Sequence, residues 1–125
     1  MALGRDFRET VQARAKRDPV FRNGLLSEAI ESLLSGEVSL GKELLRDYIN
    51  ATVGFPDLAA QTSIHAKTLH QMFGPNGNPT AGKLFQIVAY LQRAGGVQFE
   101  VRPKRVASRG IMRASRRRNS RIASA

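Results

Sequence analysis

The feature that most constrains the fold is a pair of very short amphipathic segments, "FPDLAAQT" and "HAKTLHQMF", separated only by "SI". Each is long enough for about two turns of helix. Two helices with so short a link are expected to pack at a steep angle, with Leu58, Ile64 and Leu69 between them and small Ala59 at the closest approach. The second segment is unusual because its other faces carry hydrogen-bonding side chains, namely His65, Lys67, Thr68, His70 and Gln71.

Apolar residues at helical spacing predict three further helices before this pair and one after it. The expected inward residues are Phe7, Val11 and Ala15 in the first, Phe21, Leu25, Leu26, Ala29, Ile30, Leu33 and Leu34 in the second, Leu44, Leu45, Tyr48 and Ile49 in the third, and Leu84, Phe85, Ile87, Val88 and Leu91 in the last.

Capping and turn residues fit the same division. Asp18, Ser39 and Thr80 are placed to cap helix N-termini. Glycines at positions 36, 54, 95 and 96 are placed to end helices. After the last helix, "VQFEVR" alternates apolar and polar residues, which predicts a short strand over residues 97–102. The expected fold is therefore all-α, a bundle of about six helices with a short C-terminal strand, in one domain of residues 1–102.

The positive charge is concentrated at the C-terminus. The chain carries a formal net charge of +10. Residues 103–125 hold 8 basic residues and no acidic ones, whereas residues 1–102 hold 12 basic and 10 acidic residues. Residues 103–125 are predicted to form a disordered Arg-rich tail. Such a chain suits a polyanionic partner, although a tail of this kind can also be a solubilising extension with no dedicated role.

Several classes of function find no support in the sequence. There is no cysteine, which excludes disulfides and thiolate zinc sites and fits a reducing cytoplasm. His65 and His70 are five residues apart, about 140° around a helix, so they do not form a two-histidine metal face. No signal peptide, membrane span, paired acids or nucleophile–base spacing stands out. We expect neither an enzyme nor a bound cofactor or metal.

The short helix pair also carries a family resemblance. "FPDLAAQTSIHAKTLHQMF" followed by "NPTAGKLFQIVAYL" resembles the helix-turn-helix of phage-repressor-type (Cro/C1, or XRE) regulators, over roughly residues 41–93. More narrowly, "LLRDYINATVGFPDLA" and the helices before it resemble the addiction-module antidote proteins, the HigA-like antitoxins of toxin–antitoxin pairs. The basic tail lies outside this resemblance.

The resemblance implies a lambda-repressor-like bundle whose second short helix reads the major groove. Lys67 would then reach a base edge or a phosphate, Gln71 a base edge and Thr68 a phosphate, and the alternative for each is a solvated surface residue. The family pattern has glycine where this chain has Ser63, which costs about 1 kcal/mol if that residue needs a positive φ. The residues expected to face DNA are Gln61, His65, Ala66, Lys67, Thr68, His70, Gln71, Asn76 and Asn78.

Two functions of different classes follow. The first is a cytoplasmic, nucleoid-associated repressor that binds double-stranded operator DNA as a homodimer, autoregulates its operon and neutralises a partner toxin. The second is a nucleoid-type protein that coats nucleic acid through its tail without strong sequence preference. An inverted repeat upstream of the gene, with a small neighbouring reading frame, would favour the first.

Overall fold

The computed structural model describes residues 4–107, and within them the protein consists of six helices. This confirms the prediction of an all-α fold. The helices are α1 (Arg5–Arg17), α2 (Pro19–Leu34), α3 (Val38–Ala51), α4 (Phe55–Thr62), α5 (Ala66–Met72) and α6 (Ala81–Gly95). Among these residues no helix is both long and apolar enough to cross a membrane.

The first three helices form one side of the core. α2 packs along α3, and α1 packs against both. Leu26 and Ala29 of α2 meet Leu45 and Ile49 of α3 in a single cluster with the other buried apolar residues, as the helical spacing predicted.

The prediction of an inward position was wrong for Phe7, Leu34 and Phe85, which are 56%, 68% and 65% exposed. Phe7 lies in the first turn of α1, beyond the edge of the core, so only Val11 and Ala15 of its apolar stripe are covered. Leu34 is the last residue of α2 and likewise lies past the core.

The turn from α1 into α2 is held by the predicted cap. The carboxylate of Asp18 accepts hydrogen bonds from the backbone N–H groups of Val20 and Phe21, both at 3.1 Å, and Pro19 fills the first helical position. The hydrogen bond from the Phe21 N–H lowers the pKa of Asp18, with Arg14 adding to the effect. This cap therefore contributes stability above the usual carboxyl range and loses it as the pH falls through the lowered pKa.

The predicted cap of α3 was wrong. The helix already begins at Val38, with Glu37 at the capping position and no side-chain cap. Ser39 thus lies inside the first turn. The reason is the turn before it: Gly36 adopts a φ of 87°, and the N–H of Glu37 donates to the carbonyl of Ser32, so α2 and α3 follow each other too closely for Ser39 to precede the helix.

α3 also carries a buried carboxylate that the apolar pattern did not reveal. Asp47 is fully buried and accepts a hydrogen bond of 2.8 Å from the side-chain amide of Gln12. Arg8 lies 3.5 Å from the same oxygen. A buried charge requires such partners, so this contact fixes α1 on α3.

The chain leaves α6 in an extended course. Gly96 ends the helix with a φ of 67°, and the N–H of Phe99 donates to the side chain of Gln92 at 2.8 Å. Residues 97–107 are assigned neither helix nor strand. A strand is defined by exchange of hydrogen bonds with a neighbour, and the described part of the chain offers none. The strand predicted at residues 97–102 thus stays a prediction about pairing with another chain. Most of the predicted disordered tail, residues 108–125, lies outside the described residues.

Candidate nucleic-acid interface

α4 and α5 form the predicted pair of short helices joined by a left-handed residue. α4 ends at Thr62, and Ser63 follows with φ 59° and ψ 29°, the single non-glycine residue with a positive φ in residues 4–107. This conformation reverses the chain within two residues so that α5 can return against α4. Leu58, Ile64 and Leu69 are buried, as expected of the contacts between the two helices.

The left-handed serine leads to a prediction about stability. Ser63→Gly should raise the free energy of unfolding by about 1 kcal/mol, because glycine adopts this region without the clash of a Cβ. Urea denaturation followed by circular dichroism measures the change. Ser39→Gly is the matched control: Ser39 lies in the first turn of α3 with an ordinary helical φ, where glycine should not raise stability. Equal effects of the two substitutions would contradict the left-handed turn.

A side chain of α6 stabilises the turn between α4 and α5 by a hydrogen bond to its backbone. The side-chain amide of Gln86 donates to the backbone carbonyl of Thr62 at 2.8 Å, and the hydroxyl of Thr62 donates to the carbonyl of Leu58 at 2.6 Å. The carbonyl of Thr62, which has no partner within α4, is therefore satisfied although Thr62 is buried. The sequence analysis missed Gln86, because nothing local distinguishes its side chain from a solvated one.

α5 presents one apolar and one polar face, as predicted. Leu69 and Met72 are buried, and Phe73 follows them into the core. On the outer side, Ala66, Lys67 and Gln71 are exposed, and Thr68 is partly exposed. The side chains of Lys67 and Gln71 have no hydrogen-bond or ion-pair partner among residues 4–107. They can therefore bind a ligand without breaking a hydrogen bond or ion pair within the described chain.

The two histidines differ from each other. His65 is exposed and occupies the capping position before α5, so the helix begins at Ala66 and not at the histidine. The ring of His70 stacks on that of Phe55, with centroids 4.6 Å apart and planes 32° from parallel. Although His70 is exposed, one face of its ring is used to hold α5 against the start of α4. Its assignment as a residue that faces DNA stays a prediction.

The other residues predicted to face DNA lie before and after α5 in the chain. Gln61 is exposed near the end of α4, and Asn76 and Asn78 are exposed in the loop after α5. The loop is fixed by Lys42, which is only 5% exposed and donates to the carbonyls of Gly74 at 2.9 Å and Gly77 at 2.7 Å. Lys42 thus ties α3 to the loop that positions both asparagines, a role that the sequence analysis did not identify.

The arrangement resembles neither a metal site nor a covered active site. Among residues 4–107 no group of three or more histidine, cysteine, aspartate or glutamate side chains could hold a metal ion. The exposed groups of α5 are neutral or cationic hydrogen-bonding side chains on a convex helix.

Comparison of the chain with protein-family models, with curated proteins and with solved structures gave no match. The resemblance to phage-repressor-type regulators therefore rests on the amino-acid sequence and stays a prediction.

Proposed function

We propose that the protein is a sequence-specific DNA-binding repressor that inserts α5 into the major groove. The observation that carries the proposal is the unit of α4, the left-handed Ser63 and α5, with an apolar inner face and unpartnered Lys67 and Gln71 outside. Lysine can donate to guanine and glutamine can pair with adenine through two hydrogen bonds. Gln61 before α5, and Asn76 and Asn78 after it, would hydrogen-bond the phosphate backbone of the DNA on either side of the recognition helix.

The narrower proposal is that the repressor is the antitoxin of a toxin–antitoxin module and autoregulates its own operon. Its support is the resemblance of α1 to α3 and of the α4–α6 segment to the addiction-module antidote proteins. Such a protein would have two partners, operator DNA and a cognate toxin. In this view the protein acts in the cytoplasm on the nucleoid, as a regulator and not as an enzyme, and needs no cofactor.

A gel-shift experiment on the DNA upstream of the gene tests the proposal directly. A repressor of its own operon should retain an upstream fragment of about 200 base pairs at protein concentrations that leave a scrambled fragment unbound, typically at least a thousandfold apart in Kd. Equal retention of both fragments would instead favour the second function. Co-purification with the product of a neighbouring reading frame tests the antitoxin part separately.

The second candidate, a protein that coats nucleic acid without sequence preference, is favoured by the charge distribution. Residues 1–102 have a net charge of only +2, from 12 basic and 10 acidic residues, whereas 8 basic residues lie in residues 103–125. Binding that depends mainly on the tail would be steeply salt-dependent and nearly blind to sequence.

We propose further that the repressor is a homodimer, because one short helix contacts too few base pairs for tight binding and two-fold symmetry doubles the site. We place the interface on the final helix near Leu91 and on residues 97–102. Leu91 itself is 1% exposed and belongs to the core, so exposed residues near it on α6 would form the contact. Phe85 is 65% exposed on the face of α6 that also carries Gln92, where the extended segment is attached.

Phe85→Glu should therefore convert the dimer to a monomer at micromolar concentration, because a charge at the centre of a small apolar interface is desolvated without a partner. Sedimentation equilibrium measures the change. Phe7→Glu is the matched control, since Phe7 is 56% exposed on α1, away from α6, and should leave the dimer intact. A wild-type protein that is monomeric with and without DNA would contradict the dimer.

A further inference from the structure

A cavity of about 440 Å³ lies between the start of α2, the end of α3 and the last turns of α6. It is partly open to solvent, and its volume falls within the range of small-molecule sites. None of its lining residues belongs to α4 or α5, so the cavity is separate from the candidate DNA interface.

A tyrosine hydroxyl without a partner among residues 4–107 faces this cavity. Tyr48 lines the cavity and is 2% exposed as a residue, and its hydroxyl makes no hydrogen bond within the described chain. The hydroxyl opens onto the cavity, so it is free to donate to a group that enters it. Burial raises the pKa of Tyr48, which keeps the phenol protonated and able to donate.

The space in front of the hydroxyl is kept by a glycine. A Cβ built on Gly95 would lie 3.1 Å from the hydroxyl oxygen of Tyr48. Any larger residue at this position would therefore crowd the hydroxyl and narrow the cavity. Gly95 still belongs to α6, and Gly96, not Gly95, takes the left-handed turn that ends the helix.

The cavity also contains one fixed cation. Arg22 is its single charged lining residue, and one terminal nitrogen of the guanidinium donates to the carbonyls of Ala15 at 3.0 Å and Lys16 at 3.2 Å. These bonds hold the planar group in place and leave its other donors without partners among residues 4–107. The neighbouring side-chain amide of Asn23 is likewise unpartnered within these residues.

Most of the accessible surface of the cavity is polar, and Ala51 and Val53 contribute a smaller apolar patch. One cation, two neutral hydrogen-bonding groups and a small apolar patch suit a ligand with one negative group and a short hydrocarbon body. We propose that this cavity binds a small organic carboxylate, to which Arg22 and Tyr48 donate hydrogen bonds while the apolar patch contacts the hydrocarbon part. This site goes beyond DNA binding and does not depend on it.

The test is a titration of the full-length protein with benzoate and hexanoate, followed by the backbone amide NMR signals. Benzamide and hexanamide are the neutral controls, equal to the acids in size. The acids should shift the signals of residues around Tyr48, Arg22 and Gly95 with a Kd of about 1 mM or below, as suits ligands of this size. The amides should bind at least tenfold more weakly.

Three variants localise the binding. Tyr48→Phe and Arg22→Gln should each weaken binding of the acids by about tenfold or more, since each removes a donor to a charged group. Gly95→Ala should weaken it by filling the space before the hydroxyl. Tyr90→Phe is the matched control, because Tyr90 lies on α6 outside the cavity lining, and should leave the Kd unchanged.

Tyr48→Phe removes a hydroxyl that has no partner and should leave the urea midpoint unchanged or higher, so a binding loss in this variant reports on the ligand and not on folding. The proposal is overturned if neither acid shifts these signals at about 10 mM, a concentration well above the expected Kd. It is also overturned if the amides bind as well as the acids, or if Tyr48→Phe binds as the wild type does.

Discussion

Replacing Lys67 or Gln71 with alanine should weaken binding to the operator by about 1–3 kcal/mol each, roughly five- to 150-fold in Kd. Both side chains are exposed on α5, and neither has a partner among residues 4–107, so each substitution removes only contacts to the DNA. The free energy of unfolding should change by less than about 0.5 kcal/mol. Fluorescence anisotropy with operator and scrambled duplexes measures the affinity, and circular dichroism measures the fold.

The two substitutions should also differ from each other in specificity. Gln71→Ala should relax the preference at one base pair, since glutamine reads adenine through two hydrogen bonds. Lys67→Ala should do the same only if its ammonium donates to a base, and should weaken all sequences alike if it meets a phosphate. A set of operators with single base-pair changes distinguishes these outcomes.

A matched control lies on a part of the chain away from α5. Lys16→Ala on α1 removes a lysine side chain from an exposed position. α1 contacts only α2 and α3 among the described helices. This control should bind the operator within about twofold of the wild type. Normal operator affinity in Lys67→Ala and Gln71→Ala, with normal helicity, would exclude α5 as the recognition helix.

What the sequence predicted well was local. The apolar spacing located all six helices, because each needs one covered face to be stable in a chain of this size. The caps at Asp18 and Thr80 were predicted because a capping oxygen acts within three residues of itself. The possible energetic cost of serine at position 63 was likewise predictable, because it depends on the φ of that one residue. Ser63 does adopt the left-handed conformation.

What could not be predicted depends on contacts between residues far apart in the chain. Lys42 resembles any solvated lysine until the loop at Gly74, 32 positions later, brings carbonyls to its ammonium group. Asp47 is buried only because α1 supplies Gln12 and Arg8. The same limit explains why Phe85 was wrongly predicted to be buried. Its spacing within α6 fits the core face, but no described element covers its side chain.

The candidate site shows the same division. The polar outer face of α5 followed from its own sequence, since buried Leu69 and Met72 leave the other side chains outside. The stacking of His70 on Phe55 could not be anticipated, because it depends on how closely α5 returns to the start of α4. Tyr48 was predicted to face inward, and only the position of α6 shows that its hydroxyl faces a cavity.

Removing residues 103–125 should have the largest effect on affinity and almost none on specificity. Each phosphate that a cationic side chain neutralises adds about 0.9 to the slope of log affinity against log salt on duplex DNA. If about half of the 8 basic residues engage, truncation after Arg102 should reduce the slope by about 3–4. At 0.1 M salt this corresponds to an affinity loss of about a thousandfold for operator and random DNA alike.

Two variants of full length separate charge from length and from side-chain shape. Replacing the three consecutive arginines at positions 116–118 with glutamine keeps the length and should reduce the slope in proportion to the charge removed. Replacing every arginine of residues 103–125 with lysine keeps the charge and should leave the slope unchanged. Folding should be unaffected in all cases, since residues 103–107 are exposed and all buried residues that the structure describes precede them.

The ratio of operator to random affinity is the decisive quantity in these salt titrations. Arginines that touch only phosphates should leave this ratio nearly constant in every variant, because phosphates carry no sequence information. An unchanged salt slope after truncation would show that the tail does not contact DNA. A collapse of the ratio, above all with lysine in place of arginine, would show that guanidinium groups read a narrow minor groove, so that the tail would share sequence recognition with α5.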